Sequence, residues 1–133
     1  MKVAISRVTL EQIMALCVAD RDEVCGLLLG APGRIDAILP AANIASDPAR
    51  HFELDPAVLI AAHRAARAGG PAVIGHYHSH PSGVAMPSAT DAACAAPDGG
   101  FWLIVADGEA RLWIAGAKDG GVVRFVEAML DIR

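Results

Sequence analysis

No run of basic residues interrupts this chain, and 11 Lys and Arg against 15 Asp and Glu leave a net charge of −4. A phosphate backbone is gripped by clustered cations, so nucleic acid is not an expected partner. Long apolar runs are missing too. The richest stretches, Val24 to Ala31 and Phe101 to Ala106, fall far short of the roughly 20 residues that a membrane-spanning helix needs. Near the start, Arg7, Glu11 and Gln12 stand where a secretory signal would be unbroken and apolar, which makes the cytoplasm the expected compartment.

Cysteine is scarce. Cys17, Cys25 and Cys94 are odd in number, widely spaced and free of any C-x-x-C pattern, so neither a disulfide framework nor a thiolate zinc site follows. All three are expected to be buried thiols. Internal repeats, low-complexity tracts and linkers are also absent, and 133 residues are expected to form a single domain around one core. Apolar material is plentiful: 54% hydrophobic residues and a mean hydropathy of +0.41 argue against disorder.

Thr9 reads as a helix N-cap, with Leu10, Ile13, Met14, Leu16 and Cys17 repeating at helical spacing up to about Asp20. Val24 to Leu29 reads as a buried strand, and Gly30-Ala31-Pro32-Gly33 as the turn into a return strand, Arg34 to Leu39. Pro40 to Arg50 lacks a period and carries turn chemistry, which predicts a mobile surface loop. His51 to Leu54 reads as a short edge strand, and Asp55-Pro56 as the cap and first turn of a helix to about Ala68. Further on come a strand from Ala72 to His80 and a short helix opened by Ser88-Ala89-Thr90-Asp91. A hairpin follows, Phe101 to Ala106 and Glu109 to Ala115 about Asp107-Gly108, and then a last strand, Val122 to Glu127. The sum is an α/β or α+β domain built on a mixed sheet with three helices.

Gly75-His76-Tyr77-His78-Ser79-His80-Pro81 carries the chemistry. On a strand the three imidazoles share a face, and only neighbours about 6.6 Å apart can converge on one ion at about 2.1 Å. The pair is therefore His76 with His78 or His78 with His80. Pro81 ends the strand and places His80 at its mouth, within reach of a substrate, which favours the second pair. Asp91, eleven positions beyond His80, offers a third ligand and leaves a fourth position for water. Ser88-x-x-Asp91 is equally a capping box. A hydrolytic site also needs a base; Glu23, at the mouth of an apolar strand, is one candidate, and Asp22 competes with it.

Glu23, His78-Ser79-His80-Pro81, Ser88 and Asp91 together resemble the JAMM, or MPN-domain, metalloproteases, whose pattern is a distant glutamate, H-x-H, seven residues, serine, two residues, aspartate. The stretch Glu23 to Gly30 is similar to the family's segment around its glutamate, and the order of elements fits from about Met1 to Glu127. The resemblance implies a cytidine-deaminase-like fold, with about six to eight strands in a partly barrel-like mixed sheet flanked by three helices. It implies one Zn2+ per chain on His78, His80 and Asp91, with Glu23 as the base for the attacking water and Ser88 as the oxyanion donor. His76 is left with a structural role or a hydrogen bond to a ligand.

Short members of the family resemble peptidases that act after the C-terminal Gly-Gly tail of ubiquitin-like sulfur-carrier proteins. The implied partner is such a carrier or its adduct, its tail extended beside His51 to Leu54 or the Pro40 to Arg50 loop. The alternatives are a deubiquitinase-like isopeptidase on other conjugates and a non-catalytic MPN scaffold. A zinc deaminase is disfavoured, because H-x-E followed by P-C-x-x-C is absent.

Overall fold

The computed structural model describes residues 1–18 and 20–133. Its elements in chain order are β1 (Lys2–Ile5), α1 (Arg7–Cys17), β2 (Cys25–Ala31), β3 (Arg34–Ala41), α2 (Pro56–Arg67), β4 (Ala72–Ser79), α3 (Ala89–Cys94), β5 (Phe101–Ala106), β6 (Glu109–Asp119) and β7 (Val122–Ile132). The strands close into a barrel in the order β1-β3-β2-β4-β5-β6-β7. The β4–β5, β1–β3 and β1–β7 pairs are parallel and the other four are antiparallel, so the expected mixed sheet with three helices is present and fully closed.

Burial follows the strand period. On β5, Phe101, Leu103 and Val105 join a core with Val3, Ile5, Ile13, Leu28 and Tyr77, against which Leu10, Met14 and Cys17 of α1 pack. Trp102, Ile104 and Ala106 face the other way and join Ala85, Trp113, Ala115 and Val123, with Phe52 and Phe125 packed alongside. Both faces of β5 are covered, which is why its sequence is apolar at every position. The same alternation splits β4: Tyr77 enters the first core while His76 and His78 look toward Trp102 on the second side. Tyr77 lies over Gly26, where an added Cβ would sit 2.4 Å from its ring, so only glycine fits there.

Local chemistry sets the ends. Asp107 and Gly108 adopt φ of 49° and 73°, the left-handed pair that a two-residue hairpin of this twist requires. Asp55 caps α2 by accepting from the Ala57 N–H, with Pro56 opening the helix, as its sequence predicts.

Several boundaries differ from the sequence reading. Ser6, not Thr9, caps α1: its Oγ accepts from the Thr9 N–H at 3.0 Å. The helix stops at Cys17, where the extended Val18 caps it, and Ala19, which the expected helix included, lies outside the described residues. Strand β1 was not expected; four residues are too short to show a period, and the strand exists because Val3 and Ile5 seal the barrel between β3 and β7. Strand β3 runs on to Ala41, while His51 to Leu54 forms only a single bridge, Asn43 with Leu54. Strands β6 and β7 are longer than expected, because they pair with each other beyond Ala115, past a register shift. Cys25 is buried and Cys17 half-buried, but Cys94 is exposed, since it ends a six-residue helix with one side open to solvent.

Candidate metal centre

The strand mouth where β4 ends brings the sequence motif together. His78 is fully buried and His80 nearly so, and the His80 N–H still joins the β5 ladder by donating to the Val105 carbonyl at 2.8 Å. Pro81 then turns the chain away. The Nε2 atoms of His78 and His80 lie 3.1 Å apart, and Oδ2 of Asp91 lies 3.4 Å from the first and 3.2 Å from the second. Asp91 is brought over the strand end by α3, whose capping box is formed: Ser88 Oγ accepts from the Asp91 N–H at 3.0 Å, and Asp91 Oδ2 accepts from the Ser88 N–H at 2.9 Å. The cap and the candidate ligand are thus one arrangement; the box orients the carboxylate that faces the imidazoles.

Three lone-pair atoms at these separations fit one small cation. Donors placed tetrahedrally about 2.1 Å from an ion lie about 3.4 Å from one another. Nδ1 of His80 lies 2.8 Å from the Val84 carbonyl, which can only accept, so Nδ1 carries a proton, and in the neutral form of that tautomer Nε2 is bare and able to take an ion. Two imidazole nitrogens and a carboxylate suit zinc, a borderline-soft ion, with a fourth position left open.

Burial alone would raise the Asp91 pKa, but the close imidazoles of His78 and His80 and the hydrogen bond from the Ser88 N–H hold the carboxyl far below its ordinary range. Burial lowers His78, with Asp91 opposing it, and lowers His76 well below the usual imidazole value. For His80 burial is outweighed by Asp91 and the Val84 carbonyl, and its pKa rises.

Glu23 lies just before β2, buried to 5% exposure, with Oε1 shielded from solvent and unpartnered among the described residues. A carboxylate oxygen of Glu23 and a ring nitrogen each of His78 and His80 all lie within 4.8 Å of one another. Asp91 approaches the two imidazoles at 3.4 and 3.2 Å and completes the tighter triangle, with Glu23 beside it. Burial pushes the Glu23 carboxyl up to about 7, with His80 pulling it down and Asp91 adding to the rise. Asp22, the competing base, points into solvent and its N–H donates to Asp20. Glu23, His80 and Ser88 line one cleft of about 340 Å³ with Arg50, Val84 and Met86.

His76 stands apart from the triangle, the outcome that Pro81 at the strand mouth favoured over a His76–His78 pair. Its ring meets Trp102 edge to face at 4.3 Å, and its Nε2 is buried without a partner. It makes no hydrogen bond to a candidate ligand among the described residues.

Two further supports had no role assigned from the sequence. Phe52 stacks on His78 with centroids 4.2 Å apart, and Ser79 Oγ accepts from the Val24 N–H at 2.8 Å, tying the Glu23 segment to the strand of the histidines. Ser79 lies between the two motif histidines and was legible as a neighbour; Phe52 gave no local signal, because its contact is made by the tertiary fold.

A family model of prokaryotic homologues of the JAB domain matches residues 6–123. The chain belongs to that family, the prokaryotic JAMM/MPN proteins. A desampylase of Haloferax volcanii is 38% identical to this JAB-family chain over 84 residues, 62% of this chain and 60% of the relative, so the match spans less than two thirds of that protein. A desampylase of Pyrococcus furiosus is 31% identical over 111 residues, 83% of this chain and 79% of its own length. The solution structure of a protein of Desulfitobacterium hafniense superposes with a TM-score of 0.82 at 26% identity, over 100% of the JAB-family chain and 93% of its own.

Proposed function

We propose that residues 1–133 work as one zinc-dependent (iso)peptidase domain. It would hydrolyse the amide bond after the C-terminal Gly-Gly tail of a ubiquitin-like protein, with sulfur-carrier proteins or their adducts as the substrate class. The observation that carries this reading is the triangle of His78, His80 and Asp91 at 3.1 to 3.4 Å, with the buried Glu23 carboxylate facing it. The two desampylase relatives support a conjugate of a ubiquitin-like protein as substrate.

His78, His80 and Asp91 would hold the metal. A zinc ion bound there supplies a Lewis acid for the scissile carbonyl and lowers the pKa of water toward about 7. Glu23, buried with its carboxyl raised to about 7, takes the proton of the attacking water and returns it to the leaving amine. Ser88 Oγ already accepts from the Asp91 N–H, which leaves its own proton free to donate to the oxyanion of the tetrahedral intermediate. Asp91 keeps its charge because the histidines and the Ser88 N–H stabilise it. A side-chain-free Gly-Gly tail suits a cleft of about 340 Å³ whose rim carries Arg50, Val84 and Met86.

The test is product analysis by mass. The protein is incubated with sulfur-carrier fusions and with ubiquitin fusions, each ending its carrier in Gly-Gly before the junction. Release of the intact carrier tail is expected, with sulfur-carrier fusions preferred. Cleavage of ubiquitin fusions alone would overturn the carrier assignment, and cleavage of neither would overturn the enzyme.

A further inference from the structure

Glu23 has no hydrogen bond to its carboxylate among the described residues, so its position is set through its backbone and its packing. Yet it lies outside the ladder of β2, which begins at Cys25. Its N–H donates to the Pro48 carbonyl at 2.7 Å, and its carbonyl accepts from Nδ2 of Asn43 at 2.8 Å. Both backbone handles of the proposed base are therefore held by the segment from Asn43 to Pro48.

Asn43 is also the hub of that segment. Nδ2 is directed at three carbonyls, those of Glu23, His51 at 3.1 Å and Pro48 at 3.4 Å. Oδ1 accepts from the N–H groups of Ala45 and Glu53, each at 3.0 Å. The opposite orientation of the amide would point an oxygen at three carbonyls and an NH2 at two N–H groups, so the network itself fixes which atom is nitrogen. The segment read from sequence as a mobile loop is tied to a single side chain, and the same hub fixes the run that carries Phe52 onto His78.

We infer that Asn43 is a positioning residue for Glu23, acting through the Glu23 carbonyl to hold the base at its working distance from the candidate metal centre. This rests on the peptidase reading for its catalytic meaning, though the structural half stands without it. Loss of the Nδ2 donor leaves the Glu23 backbone held only by its N–H to the Pro48 carbonyl, in a segment that has itself lost its hub, while His78, His80 and Asp91 keep their backbone places on β4, at its mouth and on α3. Misplacing a reacting group by about 1 Å costs about 100-fold in rate.

Two variants separate positioning from loop folding. Asn43→Ala removes both halves of the amide; Asn43→Asp keeps an acceptor for Ala45 and Glu53 but has no donor for the Glu23 carbonyl. Amide hydrogen exchange on the protein without substrate is expected to quicken at Glu23 in both variants, at Ala45 and Glu53 in the first only, and at Leu27 and Leu28 in neither. Both variants should bind metal no more than about 10-fold more weakly, the effect of loosening Phe52 on His78, and with zinc saturating should lose about 10- to 100-fold in kcat with little change in KM. In a Glu23→Gln background, single-turnover rates should fall by less than about 2-fold further, because the two residues act as one unit. Unchanged exchange at Glu23, full kcat in Asn43→Asp, or the same fold loss with and without the Glu23 carboxylate would each overturn the assignment. A wild-type protein that cleaves no conjugate would overturn the peptidase reading instead, and the exchange pattern would still decide for or against Asn43.

Discussion

The ring of Phe52 lies against the imidazole of His78, their centroids 4.2 Å apart and their planes inclined by 24°. His78 Nδ1 is buried and has no hydrogen-bond partner among the described residues, so stacking and burial, rather than a hydrogen bond to Nδ1, fix this ring. Phe52→Leu keeps an apolar side chain but removes the flat contact. Metal affinity is expected to weaken by about 10-fold, the lower end of what support of a ligand is worth, with the fold retained. Competition against a chromogenic chelator measures it; unchanged affinity would show that Phe52 does not hold the ligand.

Glu23→Gln replaces a carboxylate by a neutral group of the same shape. The ligand triangle does not include it, so metal content is expected to stay at the wild-type level. Removal of a general base lowers kcat by about 10²- to 10⁴-fold. A variant that cleaves at the wild-type rate would remove Glu23 from the mechanism.

Ser88 has two jobs that substitution can separate. Replacing an N-cap serine by alanine costs about 1 kcal/mol, whereas glycine costs only a few tenths. Ser88→Gly is therefore expected to fold with a Tm close to wild type while losing about 10²- to 10³-fold in kcat, the scale of one oxyanion donor. Steady-state kinetics beside a thermal melt checks this, and an unchanged kcat would leave Ser88 as a cap alone.

The thiols are expected to differ sharply in reactivity. Burial pushes Cys17 up to about 11 and, with Glu23 adding to it, Cys25 up to about 11, so at pH 8 only about one in a thousand of each is the reactive thiolate. Cys94 is exposed. Brief treatment of the folded protein with iodoacetamide at pH 8 should give a single adduct on Cys94 by peptide mass, and prompt labelling of Cys25 would show that the barrel opens around it.

The sequence was most legible where the signal is local. His78, Ser88 and Asp91 announced themselves by spacing, because a strand of period two and a capping box are both short-range rules, and Asp107-Gly108 placed its hairpin for the same reason. Strand β1 was illegible: its stability comes from pairing with β3 and β7, far away in the chain. Asn43 looked like one more turn residue in a loop without a period. Its five hydrogen bonds reach from Glu23 to Glu53, and nothing in the neighbouring residues marks such a hub. Glu23 could be preferred over Asp22 from the family resemblance; burial of the one and exposure of the other is a product of the fold.

The central claim is that His78, His80 and Asp91 form one metal site, and metal content by elemental analysis of protein purified with zinc present tests it most directly. The account predicts about one zinc per wild-type chain, lost in His78→Ala and in Asp91→Ala while circular dichroism shows both variants still folded. Full zinc content in both folded variants would contradict it.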